Sequence, residues 1–225
     1  MKLFTISDLH LSLSSDKPMD VFSGWDNYVE KIEKNWKKIV KEEDAVVIPG
    51  DLSWGLKIEE TLEDFRFLES LPGKKIIIKG NHDLWWGTAK KLREFFLQNE
   101  INSVDIIFNN SAVCGKYAIA GTRGWFYDEK ADEKILMREA GRLEASLISA
   151  EQTGKEILVF LHYPPVFADY VCQEIFDVLK RHNIKRVFYG HIHGAGAANI
   201  VREYEGIKFT LVSCDYVNFT PVYIP

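Results

Sequence analysis

Five of the chain's six histidines sit in short polar motifs. His10 closes Asp8-Leu9-His10, and His82 lies within Gly80-Asn81-His82-Asp83. His162 ends an apolar run, and His191 and His193 belong to Gly190-His191-Ile192-His193. Asp51 follows Gly50 in a further pair. Together they offer carboxylates, an amide oxygen and several imidazoles, with no thiolate in any motif. Mixed nitrogen and oxygen donors suit Mn, Fe, Zn, Co or Ni better than Cu(I), and better than all-oxygen Ca or Mg cages. The donors exceed what one ion can use, so two metals are expected. Two divalent ions faced by only Asp8 and Asp51 keep a positive surplus, which attracts hydroxide and an anionic phosphate. Asp8/His10 and His191/His193 are i, i+2 pairs, whose members share a side in extended backbone. The glycines at 50, 80, 190 and 194 permit close backbone approach.

These residues need elements to carry them. Residues 2–7 read as a buried strand, and 27–43 as a helix with Val29, Ile32, Trp36 and Ile39 on one stripe. Strand 45–48 stops at Pro49-Gly50, and Ile58, Leu62, Phe65 and Leu68 mark a second helix that ends at Leu71-Pro72-Gly73. Strand 74–79 and a helix over 84–98 follow. Residues 104–108 and 111–120 are short strands, with a hairpin around Gly115-Lys116. A charged helix spans 130–152, then come strand 156–161, helix 169–182 and strand 185–189. A final hairpin has arms 199–204 and 207–213. Strand–helix alternation implies parallel βαβ units. The β-rich middle and the terminal hairpin imply a second sheet or antiparallel edges. One α/β domain over 1–225 is expected, with sheets central and helices outside. Each histidine motif, and Asp51, then follows a predicted strand. Ligands in open α/β sheets bind beyond the carboxyl ends of the strands, so separate segments converge on one crevice.

In this order, DLH, GD, GNHD, a lone His after a strand and GHIH resemble the calcineurin-like metallophosphoesterase family, with motifs running from residue 8 to residue 193. The resemblance implies a four-layer α-β-β-α sandwich with two central mixed sheets and a dinuclear site. Carried over by motif position, Asp8, His10 and His193 would hold one metal. Asn81, His162 and His191 would hold the second, and Asp51 would bridge both. His82 falls where the family has a catalytic histidine that is not a ligand. The implied reaction is phosphoester hydrolysis by a hydroxide shared between two ions, Mn, Fe or Zn, with His82 assisting the leaving oxygen. Asp83, beside His82, suits an orienting partner for its imidazole, or an N-cap for the helix expected from Leu84.

Four tryptophans flank the motifs: Trp54, Trp85, Trp86 and Trp125. Trp54, Trp85 or Trp125 could wall a substrate pocket, since such pockets favour aromatic linings, or all could be core. Trp25, in the first long loop, could join them, while Trp36 sits on an apolar stripe. Arg123, in Gly121-Thr122-Arg123-Gly124, is either a phosphate clamp or an arginine in a turn. His182 ends a predicted helix, where a cation meets the negative end of the dipole.

The 225 residues carry 28 basic and 33 acidic side chains, a net charge of −5, which disfavours a broad nucleic-acid footprint. No apolar run approaches the ~20 residues of a membrane span. The N-terminus lacks a secretory pattern, so a cytoplasmic protein is expected. Cys114, Cys172 and Cys214 read as reduced, buried thiols. The expectation is a phosphohydrolase acting on a small soluble phosphoester, without nucleic-acid or membrane partners. A nuclease with the same site is one alternative. A metal-binding scaffold without turnover is another, disfavoured because every motif position is filled.

Overall fold

The computed structural model describes residues 1–126 and 133–225. In chain order the elements are β1 (Leu3–Thr5), α1 (Tyr28–Ile39), β2 (Ala45–Pro49), α2 (Leu62–Ser70), β3 (Lys74–Ile78), α3 (Ala89–Gln98), β4 (Val104–Ile106), β5 (Ala112–Cys114) and β6 (Tyr117–Thr122). There follow α4 (Glu133–Glu151), β7 (Glu156–Leu161), β8 (Val166–Phe167), β9 (Tyr170–Val171), α5 (Gln173–Arg181), β10 (Arg186–Tyr189), β11 (Glu203–Tyr204), β12 (Ile207–Leu211) and β13 (Val222–Ile224).

Alternation along the strands builds the layers. In β1, β2 and β3 the set Phe4, Val46, Ile48 and Ile77 packs against Ile32 and Trp36 of α1, Phe65 and Leu68 of α2, and Leu92 and Phe96 of α3. The intervening Leu3, Val47, Ile76 and Ile78 point the other way. They meet Ile119, Leu158, Phe160, Phe188 and Val212 of a second sheet. The far face of that sheet, Ala120, Val159, Leu161 and Val187 among others, is covered by Leu143 and Leu147 of α4 and Ile175 and Leu179 of α5. The order is helix, sheet, sheet, helix, as the resemblance implied.

The first sheet runs β13-β1-β2-β3-β4, the second β11-β12-β10-β7-β6-β5. Within them β1 to β4, and β12, β10, β7 and β6, are mutually parallel. β13, β11 and β5 are antiparallel edges. The hairpin at Gly115-Lys116 is present, its arms paired from Ala112↔Ile119 to Cys114↔Tyr117.

Several boundaries differ from expectation. The helix predicted from Leu84 begins at Ala89, with the Thr88 side chain accepting from the Lys91 amide as its N-cap. The helix predicted over 169–182 begins at Gln173, because 166–171 forms the small β8–β9 ribbon. The arm predicted over 199–204 shrinks to β11, while residues 194–199 form a 3-10 turn. Strand β13 had no signal beyond its tyrosine and two β-branched residues. Residues 130–132 of the helix predicted over 130–152 lie outside the described residues. His182 is the C-cap of α5, and its two ring nitrogens pair with Glu151 (2.7 Å) and Glu144 (3.0 Å) of α4. All three cysteines are free and buried.

Candidate metal centre

The carboxyl ends of the parallel strands are stitched to one another by backbone hydrogen bonds. The Ser7 amide donates to Val212 O (2.8 Å), Asp8 to Gly50 O (3.0 Å), His10 to Asp51 O (3.0 Å) and Gly190 to His162 O (3.1 Å). The Cys214 amide returns to Ser7 O (2.9 Å), which joins the two sheets at this edge. The chain then turns sharply. Asp8, His10, Asp51 and His191 all have positive φ, at 58°, 45°, 51° and 69°. Asp8 and His10 are therefore both aimed by left-handed turns, whereas in the second pair His191 is left-handed and His193 is extended. Left-handed conformations cost a non-glycine residue roughly 1–3 kcal/mol each and cluster at functional sites. Two glycines make room. A Cβ on Gly80 would lie 2.2 Å from the Asp51 amide nitrogen and Oδ1, and one on Gly190 would lie 2.3 Å from Asp8 Oδ2.

Two donor groups result. Ligand atoms of Asp8, His10 and His193 lie within 4.8 Å of one another, as do those of Asp8, Asp51 and His162. His193 Nε2 stands 3.4 Å from Asp8 Oδ1. Asp51 Oδ2 lies between the groups, 3.8 Å from His10 Nε2 and 3.4 Å from His162 Nε2, while its Oδ1 accepts from the His82 amide (2.8 Å). Asn81 Oδ1 is 2.6 Å from His162 Nε2 and 3.1 Å from His191 Nδ1. The structure thus brings Asp8, His10, Asp51, Asn81, His162, His191 and His193 into one cluster.

The electrostatics bear on what this cluster can hold. Burial pushes His10 and His162 down to about 3, so both are neutral imidazoles at neutral pH. Burial opposes a charge on His193, yet its hydrogen bonds to Asp215 and Asp8 raise it to about 10. Burial likewise works against the Asp8 carboxylate, but His193, then His162 and His10, hold it far below the usual range. Burial, with Asp8 and Asp83 nearby, pushes Asp51 well up. His162 gives the sharpest indication. Its Nδ1 is 3.1 Å from Pro49 O, which can only accept, so Nδ1 carries the proton. The lone pair on Nε2 therefore faces Asn81 Oδ1 (2.6 Å) and Asp51 Oδ2 (3.4 Å), so an imidazole nitrogen, an amide oxygen and a carboxylate oxygen converge. A cation resolves that convergence, and two oxygens with imidazoles are the donors a transition metal takes.

His82 is half-buried, its ring 4.4 Å from Trp54 and 5.7 Å from His10. Burial, then His191, lowers its pKa. Asp83 is neither its orienting partner nor a helix cap. Both Asp83 oxygens are taken by backbone amides: Oδ1 by Leu52 (2.9 Å) and Ser53 (3.3 Å), Oδ2 by Gly80 (2.7 Å) and Asp51 (3.0 Å). Asp83 is fully buried and locks the Gly50-Asp51 turn to the Gly80–Asp83 turn.

The tryptophans divide. Trp54 stacks on His10 at 4.9 Å, and Trp25 lies 5.9 Å from His10 and 5.7 Å from His193, so both border the cluster. Trp85 turns inward onto Phe65 (5.3 Å) and belongs to the helix-side core, not to a site wall. Trp125 is buried in the opposite core, with the Arg123 guanidinium 5.6 Å above its ring. One residue escaped the sequence motifs. Asp215 Oδ1 pairs with His193 Nδ1 (2.8 Å) and its Oδ2 accepts from the Gly194 amide (3.0 Å), so it fixes the ring that faces Asp8. The available signal was its place just beyond a strand, β12, that runs parallel to β10.

Comparison with known proteins agrees with this geometry. A family model described as calcineurin-like phosphoesterase matches residues 1–195. No curated protein matches the chain. Among solved structures, TT1561 of Thermus thermophilus is similar at TM-score 0.59 and 15% identity, covering 99% of this chain and 97% of that one. A phosphopantetheinyl hydrolase from Mycobacterium tuberculosis has TM-score 0.57 at 13% identity, covering 99% and 95%. A protein of unknown function from Aquifex aeolicus has TM-score 0.55 at 18% identity, again covering 99% and 95%. At these identities the likeness is one of fold. Among the described residues no helix is long and apolar enough to cross a membrane.

Proposed function

Because the chain belongs to the calcineurin-like phosphoesterase family, we propose that it is a two-metal hydrolase of small soluble phosphomonoesters or phosphodiesters. The observation that carries this is the convergence of His162 Nε2, Asn81 Oδ1 and Asp51 Oδ2 on one point, beside Asp8, His10 and His193. Asp8, His10 and His193 would hold one ion, Asn81, His162 and His191 the other, with Asp51 Oδ2 facing both. Mn, Fe and Zn all suit this set. Bound there, the pair supplies positive charge for the phosphoryl oxygens and lowers the pKa of water toward ~7.

The chain's own residues do the rest. Asp83 keeps the Asp51 and Gly80 turns in register, and Asp215 aims His193. His82, half-buried and with its pKa lowered, presents a neutral ring whose N–H donates a hydrogen bond to a phosphoryl oxygen, and its imidazolium form, protonated from solvent, gives that proton to the leaving oxygen and returns to the neutral ring. Trp54 lies against that ring at a tilt of 49°, centres 4.4 Å apart, and shields it from water. The three free thiols suit the reducing cytoplasm, which we take as its location.

The test is to strip the protein with chelator and reload it with Mn, Zn or Fe. Release of 4-nitrophenol from 4-nitrophenyl phosphate and from its bis ester is then followed. Turnover should require metal, and His82→Ala should keep the metal while losing turnover. No hydrolysis of either ester with any of the metals would overturn the proposal.

A further inference from the structure

Beside the metal cluster lies a separate cavity, with about 120 Å³ of space open to the centre of a water molecule. One water needs roughly 10–15 Å³ of such space, so the cavity admits a group of several heavy atoms. Its wall includes Lys79, Arg123, Arg142 and Glu139, with the rings of Trp86 and Phe108. Three of these four charged side chains are cations, in a chain whose net charge is −5. The carboxylate is itself consumed. Glu139, 1% exposed, pairs with Arg142 at 2.6 Å and accepts from Thr122 Oγ1 at 2.7 Å. That pair fixes Arg142, whose guanidinium lies 6.0 Å from the Phe108 ring centre. Lys79 makes no ion pair within 4 Å among the described residues.

The cavity adjoins the site through known contacts. Lys79 directly precedes Gly80 and Asn81, and Trp86 follows the same turn. Arg123 O accepts from the His162 and Tyr163 amides (3.1 and 2.9 Å). The Arg123 guanidinium lies over Tyr163 (5.8 Å), and the Tyr163 ring touches His191 at 4.5 Å. One aromatic ring therefore separates the cationic wall from the Asn81–His162–His191 donors.

We propose that this cavity is a second oxyanion subsite. The substrate is then a phosphoester whose leaving group carries a further phosphate or carboxylate beyond a flat or apolar unit. Lys79 receives the oxyanion by a charge-assisted hydrogen bond. Trp86 and Phe108 flank the flat unit. This deepens the phosphohydrolase proposal and rests on it.

The probes are phenyl phosphate, 4-carboxyphenyl phosphate and 1,4-phenylene bisphosphate. Calorimetric titration of the metal-free protein gives their affinities, and kcat/KM is measured after metal loading. The two probes with a second anionic group should exceed phenyl phosphate at least tenfold in affinity and in kcat/KM, since a hydrogen bond to a charged group is worth that much. Lys79→Ala should remove this preference, and Lys79→Arg should restore it. The carboxylate and bisphosphate arms show which oxyanion is taken. No preference in the wild type, or an equal fall for all probes in Lys79→Ala, overturns the subsite. If the binding preference holds while no probe is hydrolysed with any metal, the subsite stands and the hydrolase proposal fails.

Discussion

Replacing Asp83 by Asn tests how the two loops of the centre are held. The carboxylate accepts four buried backbone amides, two on each oxygen, at 2.7 to 3.3 Å. Asparagine has one carbonyl oxygen and one NH₂. Whichever way the amide is turned, two of the four N–H groups face a donor. A buried donor stripped of its partner costs roughly 1–3 kcal/mol, so Asp83→Asn should lose roughly 2–6 kcal/mol. For a domain of this size each kcal/mol moves Tm by ~2–4 °C, which gives a fall of roughly 4–24 °C. The assay is thermal unfolding of the metal-free protein by circular dichroism at pH 8, where Asp83, raised by burial only to about 6, is ionised. His82→Ala leaves all four amides paired and should move Tm less. An Asp83→Asn protein melting within ~2 °C of wild type would refute the locking role. If its pH–rate profile shifted as well, Asp83 would act through the His82 imidazole after all.

Three further outcomes follow from the same geometry. Burial raises Asp64 to about 6, although it accepts from Ser53 Oγ and the Leu13 amide. A raised carboxyl pKa contributes stability that is present below the unfolded value near 4 and lost as pH rises toward 6. At ~1.36 kcal/mol per pH unit, wild type should lose roughly 3 kcal/mol across that window relative to Asp64→Asn, and parallel urea-unfolding curves would contradict this. Asp215→Asn should weaken metal binding about 10–100-fold, as loss of a carboxylate behind a ligating imidazole does, measured by metal titration of the stripped protein. Trp85→Ala should destabilise by about 3–5 kcal/mol while leaving KM near wild type, and Trp54→Ala should raise KM. A reversal of those two effects in paired melts and kinetics would move the site wall from Trp54 to Trp85.

Much of the centre was legible because chemistry and topology coincide in it. Asp8, Asp51, Asn81, His162 and His191 each follow a parallel strand, and strand–helix alternation announces those strands. The legibility fails where a residue's direction depends on a turn. Asp83 and Trp85 lie one and three residues past His82, yet one is drawn under the loop by amides and the other into the core against Phe65. Periodicity cannot see this, since residues 82–88 precede the helix that Thr88 caps. Asp215 was hidden by the hairpin pattern around Glu205-Gly206. That pattern is correct for β11 and β12, but β12 also pairs parallel with β10, so its far end opens on the same crevice as His191 and His193.

The most direct test of the account is the number of metal ions the folded chain holds. Elemental analysis of protein reloaded with Mn or Zn and passed through a desalting column should find two ions per chain. Asp51→Asn should lose metal and turnover together, with Tm measured alongside to show that it folds. Two ions in wild type and fewer in a folded Asp51→Asn protein would support a centre built on Asp8 and Asp51. A wild-type chain that retains no metal, or an Asp51→Asn chain that retains both ions, would contradict it.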